Sequence, residues 1–173
     1  MKDIYIKKII TFVFALGMII GTAGITQATA ISVDGAWHQF NFDQAGSVTE
    51  TFQFIAPSSG ATMDVTDRLI YGDEFTIYDF GVNIGTTSAV NPALFNVQSG
   101  IIDPDLAWAD PDLSYGSFSL SAGNHDISFF AHVITIPGGG YIRVNAVPEP
   151  NSFLLLCAGL AGIAAFGRKV FSA

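Results

Sequence analysis

The sequence predicts an all-β fold: an antiparallel β-sandwich of jelly-roll-like type with about eight strands, followed by a single C-terminal transmembrane helix. Three observations carry this expectation. Apolar and polar residues alternate at period two over short central stretches, Gly, Pro, Asn and Asp separate those stretches, and no central apolar run keeps a 3.6-residue period. Two packed antiparallel sheets are the natural way to bury so many of the chain's 15 phenylalanines.

The elements follow in chain order. Residues 1–8 carry Lys2, Lys7 and Lys8, residues 9–25 are apolar, and Gln27-Ala28-Thr29-Ala30 closes the run. Lysines that stay cytoplasmic, an apolar helix that enters the bilayer, and small side chains at Ala28 and Ala30 that fit a signal peptidase cleft make residues 1–30 a secretory signal peptide cleaved after Ala30. Residues 31–147 are then the β-sandwich ectodomain, long enough for one domain.

Within it, strands are expected at 36–42, 61–66, 74–80 and around 82–84. Val48, Phe52 and Phe54 share one face of a half-buried strand, and Phe118 and Leu120 alternate with Ser117, Ser119 and Ser121. Residues 126–136 carry apolar side chains on both faces (Ile127, Phe129, Ala131 and Val133 against Phe130, Ile134 and Ile136), as a central strand covered on both sides would. Pro137-Gly138-Gly139-Gly140 breaks that strand and residues 141–147 return with Ile142, Val144 and Ala146 aligned, which reads as a terminal β-hairpin. Residues 88–111, with Asn91-Pro92, Asp103-Pro104 and Asp110-Pro111, read as a long loop.

Charge limits the function. Of 15 acidic residues only Asp3 and Glu149 lie outside 31–147, leaving 13, against Arg68 and Arg143, so the ectodomain carries about −11. Such a surface does not bind nucleic acid through phosphates. The one cysteine, Cys157, lies in the C-terminal apolar run, so there is no disulfide scaffold.

The C-terminus is a second address. Residues 148–173 form a tail in which Pro148-Glu149-Pro150 holds the chain extended, the apolar segment 153–167 rises about 22 Å as a helix, and Arg168-Lys169 favour a cytoplasmic end. Its small residues suit close helix packing in the membrane. This order resembles the PEP-CTERM sorting signal of exported proteins in Gram-negative bacteria, with Pro148, Glu149, Pro150, Arg168 and Lys169 as the matching residues. The resemblance implies recognition and removal of the tail by a membrane enzyme, exosortase, passage through the inner membrane, a destination at the cell surface or in the extracellular matrix, and a link with exopolysaccharide.

The middle of the chain has no catalytic signature. His38, His125 and His132 have no Gly-x-Ser-x-Gly nucleophile beside them, and the mature part has no cysteine for a zinc site. His38 and His132 share strand parity with Phe40 and Phe130, as packed residues would. The chain is therefore expected not to be an enzyme and to need no cofactor. The acidic residues Asp64, Asp67, Asp73, Glu74 and Asp79 surround Arg68 in sequence, and an ion pair between Arg68 and a neighbour is expected.

Two further features have a ligand reading. Asp103-Pro104-Asp105 and Asp110-Pro111-Asp112 repeat seven residues apart, so Asp103, Asp105, Asp110 and Asp112 are the candidate calcium ligands, against the plainer reading of a solvated acidic loop. Trp37, Trp108 and Tyr115 are candidate sugar-stacking rings, and Trp108 sits between the two acidic tripeptides. The leading expectation is a non-enzymatic exported envelope or matrix protein. The alternative is a carbohydrate-binding module, calcium-assisted, that uses the 103–112 loop and has polysaccharide as its partner.

Overall fold

Period-two alternation sorts each strand into an inner and an outer face. The computed structural model describes residues 28–42, 45–48, 50–132, 138–149 and 156. Among the described residues ten strands form: β1 (Ala28–Ala30), β2 (His38–Phe42), β3 (Gly46–Ser47), β4 (Thr51–Ala56), β5 (Ala61–Asp67), β6 (Phe75–Asp79), β7 (Val82–Thr86), β8 (Tyr115–Leu120), β9 (Gly123–Ala131) and β10 (Gly138–Ala146). One sheet has the order β1-β4-β9-β6-β7, with β3 also on β9, and the other has the order β2-β10-β5-β8. β1 runs parallel to β4, and the remaining pairs are antiparallel.

The core is what alternation dictates. Phe52, Phe54, Phe75, Ile77, Ile127 and Phe129 from one sheet face Phe40, Phe42, Met63, Val65, Ile142 and Val144 from the other, all buried. Phe40 lies flat on Phe129, with ring centroids 4.5 Å apart and planes 8° from parallel, and meets Phe75 edge-on at 5.3 Å. Offset and edge contacts of this kind add to simple area burial.

Several expectations change. The segment at 126–136 and β10 are not a hairpin: β9 lies in the first sheet, and β10 lies between β2 and β5 in the second. β9 is central in its sheet, yet only one of its faces is covered, since Phe130 is 37% exposed while Ile127 and Phe129 are buried. The expected continuation to Ile136 lies outside the described residues.

The Gly138-Gly139-Gly140 run is not a break but the first third of β10. Gly138 pairs with Phe42 and Gly140 with Phe40 on β2, and the two rings lie over them. A Cβ on Gly138 would come 2.3 Å from Phe42 and one on Gly140 would come 2.4 Å from Phe40. Glycine is there because aromatic rings occupy the space that a side chain would fill.

The 88–111 stretch is not structureless. A 3₁₀ turn at Pro92–Leu94 and a helix, α1 (Pro104–Ala109), lie within it. The helix has six residues, too short for a 3.6 period to show in sequence.

β1 lies on the signal side of the expected boundary at residue 31. The small side chains that suit a peptidase also suit an edge strand, and Ile31, just after β1, is buried and donates its N–H to the Gln53 carbonyl at 2.9 Å. The expected membrane span at 153–167 lies, apart from Leu156, outside the described residues, and among the described residues no helix is long and apolar enough to cross a membrane.

Candidate functional site

The outer face of the four-stranded sheet is where the candidate residues meet. On β5 the inward set is Met63 and Val65, so Asp64 faces outward. Register places it directly opposite Arg143 of β10 and Ser117 of β8. Asp64 is buried and accepts from Arg143 Nε at 2.9 Å, Ser117 Oγ at 2.7 Å and Asn145 Nδ2 at 3.4 Å. A buried carboxylate held by three donors is satisfied, and removing Arg143 would leave its charge uncompensated.

Helix α1 lies against this face. Asp103 is its N-cap, accepting from the backbone N–H groups of Asp105 at 2.9 Å and Leu106 at 3.1 Å, with Pro104 at the first helical position. Ala107 is buried, and its carbonyl accepts from Thr66 Oγ1 at 3.4 Å. The helix ends at Asp110, whose N–H returns to the Ala107 carbonyl, and Pro111 follows. Asp103→Ala is expected to cost about 1 kcal/mol of stability through loss of the cap, read as a lowered denaturant midpoint.

Docking α1 brings the three sequence-selected aromatics together. Trp108 comes from the helix, Trp37 from the approach to β2, and Tyr115 from the start of β8. Ring centroids are 6.0 Å apart for Trp37 and Trp108 and 5.4 Å apart for Trp108 and Tyr115. The Arg143 guanidinium lies 4.3 Å from the Trp37 ring and 5.5 Å from the Trp108 ring. Trp37 Nε1 donates to Asp105 at 2.8 Å, which ties the indole to the helix. Both tryptophans are half-buried, and Tyr115 is exposed. The result is an aromatic wall beside a row of polar groups, with the exposed Ser117 and Ser119 on the same strand as Tyr115. Such a face offers ring surface and hydroxyl partners.

Arg143 and Tyr141 were not singled out by sequence, and Asp64 was grouped with Arg68 instead. The signal was present: Tyr141 and Arg143 alternate with Ile142 and Val144, so they share the outward face of β10.

The four aspartates named as calcium ligands do not gather. Asp103 caps α1, and Asp105 accepts from Trp37 and, at 3.4 Å, from Arg143. Asp110 accepts from the Asp112 N–H at 2.9 Å and from the Tyr71 hydroxyl at 3.0 Å. Asp112 accepts from Asn91 at 3.2 Å. Burial, followed by that bond to Asp110, pushes the Tyr71 phenol above its ordinary pKa. Among the described residues no three His, Cys, Asp or Glu side chains are grouped to hold a metal ion. Each Asp-Pro step starts or ends a local turn, so its carboxylate serves backbone N–H groups instead of a shared cation.

The acidic group around Arg68 also separates. Asp64 pairs with Arg143 rather than Arg68, because strand register brings Arg143 opposite it. Arg68 lies over the Tyr141 ring at 5.6 Å. Asp79 pairs with His125, and Glu74 accepts from the Val90 N–H.

A cleft of about 530 Å³ lies at the β4 side of the other sheet, lined by Gln53, Ile55, Phe80, Asn124, His125 and Asp126. His125 offers it no free base, since Nδ1 bonds Asp79 at 2.7 Å and Nε2 bonds the Ser121 carbonyl at 2.9 Å. His132 Nε2 bonds Thr76 Oγ1. His38 is half-buried on β2, as its strand parity predicted.

The described residues form a two-sheet β-sandwich, and a sorting signal follows it in the sequence. A family model for the PEP-CTERM protein-sorting motif matches residues 146–169, so the chain carries that motif, which supports an exported protein sorted by an exosortase-type membrane enzyme. No curated protein matches the chain.

Solved structures similar to it include the pre-peptidase C-terminal domain of collagenase from Bacillus anthracis, at 9% identity and a TM-score of 0.41, covering 69% of this chain and 95% of that one. Aeromonas hydrophila PliG, a periplasmic inhibitor of g-type lysozyme, has 12% identity and a TM-score of 0.38, covering 69% and 96%. CorA, a surface-associated copper-binding protein of Methylomicrobium album BG8, has 9% identity and a TM-score of 0.36, covering 70% and 98%.

Proposed function

We propose that this chain is a non-enzymatic cell-envelope or extracellular-matrix protein, linked with exopolysaccharide and held in the inner membrane by the 153–167 helix only until its tail is processed. The observation that carries this reading is the sorting motif at 146–169, set behind a sandwich whose His125, His132 and Asp64 already have local partners. The strand order, read as jelly-roll-like, supplies a scaffold with two broad sheet faces.

Signal cleavage after Ala30 would remove β1 from β4 and make Ile31 the new N-terminus. Intact-mass measurement of the protein from membrane, surface and medium fractions tests the reading. A species beginning at Ile31 and ending near Pro148-Glu149-Pro150 is expected outside the membrane. A mass that keeps Arg168 and Lys169 in every fraction would make it an ordinary tethered domain.

The second reading, a carbohydrate-binding module, is favoured by the convergence of Trp37, Trp108 and Tyr115 beside Asp64 and Arg143. Neutral hexoses present apolar faces to such rings and hydroxyls to such polar rows. On a glycan array Trp108→Ala is expected to weaken binding about tenfold. Chelator should leave binding unchanged, because the loop carboxylates are occupied separately. Wild-type binding to no glycan would remove this reading.

A further inference from the structure

β10 ends at Ala146, and the Pro-Glu-Pro motif begins two residues later, with Val147 between them. That short connection is fastened to the turn between β4 and β5. The Val147 N–H donates to the Gly60 carbonyl at 3.1 Å, and Ser59 Oγ donates to the Val147 carbonyl at 2.5 Å. Ser58 Oγ donates to Glu149 Oε1 at 2.9 Å. The glutamate of the sorting motif is therefore bonded to the end of its own cargo domain.

The turn that holds it has a fixed shape. The Gly60 N–H closes residues 57–60 onto the Pro57 carbonyl at 2.8 Å, and Pro57 itself has a restricted φ. Gly60 is buried at φ +84°, and a Cβ there would lie 2.6 Å from the Leu120 carbonyl, so the turn sits tightly on the end of β8. Two consecutive serines on a rigid turn supply hydroxyls to consecutive parts of the departing chain. This is a built contact rather than a chance brush of surface groups.

We propose that the 57–60 turn is a latch on the sorting motif: it holds Val147 and Glu149 against the folded domain and slows delivery of the motif to the exosortase-type enzyme. The inference rests on the reading that the tail is processed. Enzymes that process peptide chains act on segments whose backbone and side chains have been released from the fold, so the rate follows the population of the open form. With only Val147 between Ala146 and the motif, opening means breaking these three hydrogen bonds. Ser58 and Ser59 are thus positioning residues that set when the tail becomes available.

The test uses the full-length chain with Ser58→Ala and Ser59→Ala combined, and Ser58→Thr with Ser59→Thr as the hydroxyl-preserving control. Without any enzyme, hydrogen exchange of the Val147 amide in detergent-solubilised precursor should be slowed in the wild type and several-fold faster in the alanine variant, at unchanged melting temperature. In cells with the processing enzyme, pulse-chase mass measurement should show tail loss about five- to twentyfold faster in the alanine variant and near wild type in the threonine control. A Val147 amide that exchanges freely in the wild type overturns the latch. A protected amide with unchanged or slower processing of the alanine variant overturns its retarding role. Tail loss in neither chain overturns the processing reading and the delivery role with it, while the exchange result reports separately on the contact.

Discussion

Gly140→Ala is expected to cost about 3 kcal/mol of stability. The new Cβ would lie 2.4 Å from Phe40 Cζ and 2.8 Å from the Thr66 carbonyl oxygen. Neither neighbour can easily move. Phe40 is fully buried, stacked on Phe129 and wedged edge-on against Phe52 and Phe75, and the Thr66 carbonyl belongs to the adjacent strand. Since domains of this size hold only about 5–15 kcal/mol in total, the variant should unfold at a much lower denaturant concentration. A double-mutant cycle identifies the cause. Phe40→Leu alone is expected to cost about 1–2 kcal/mol, and in its background the penalty of Gly140→Ala should shrink by about 1 kcal/mol or more, because the ring tip has gone. Strictly additive losses would place the clash at the Thr66 carbonyl and not at the ring above the glycine.

The same glycines show why part of the fold was legible in sequence and part was not. Alternation at Phe52/Phe54, Phe118/Leu120 and Ile142/Val144 identified inward faces, because a one-residue slip of register would turn every side chain of a strand to the other face. A Pro-Gly-Gly-Gly run, by contrast, is a turn signal by local propensity alone. Only the partner strand reveals that Phe40 and Phe42 need those positions empty, and that partner lies about 100 residues away in sequence. β9 and β10 looked like a hairpin for the same reason: they are adjacent in sequence, and nothing local says that the chain changes sheets between them.

The site divides in the same way. Trp37, Trp108 and Tyr115 were chosen for their chemistry, and docking of α1 brings them together. Asp64 and Arg143 were missed as a pair because register, not spacing, places them opposite one another. Repeated Asp-Pro-Asp resembled a cation loop, yet Asp followed by Pro is also how a short helix is capped, and Asp103 and α1 took that course. The tail needed no folding to be read, since its sorting information is linear.

Stability should fall as pH rises, and Asp67 should be a principal cause. Asp67 and Asp73 are both fully buried. Burial pushes the Asp67 carboxyl up to about 9, with the charge of Asp73 acting in the same direction and the backbone N–H groups of Arg68, Asp73 and Gly72 opposing. Its oxygens accept from the Arg68 N–H at 2.6 Å and the Asp73 N–H at 3.3 Å, so the carboxyl shapes the turn that follows β5. The folded value is raised above the unfolded value of 3.8, so the native state keeps a proton that the unfolded chain gives up. The group's contribution is therefore fully present below about pH 4 and is lost progressively as pH climbs towards 9, at up to about 1.4 kcal/mol per pH unit. Melting temperature should drop by roughly 10 °C or more between pH 5 and pH 8. The decisive quantity is the slope that Asp67→Asn removes. The amide keeps an acceptor for one of the two N–H groups and cannot ionise. Its melting curve should start at or slightly below that of the wild type at pH 5, fall less steeply, and cross above it before pH 8. Parallel slopes in the two proteins would show that Asp67 ionises in the native state as readily as in the unfolded chain, with the pH dependence lying elsewhere.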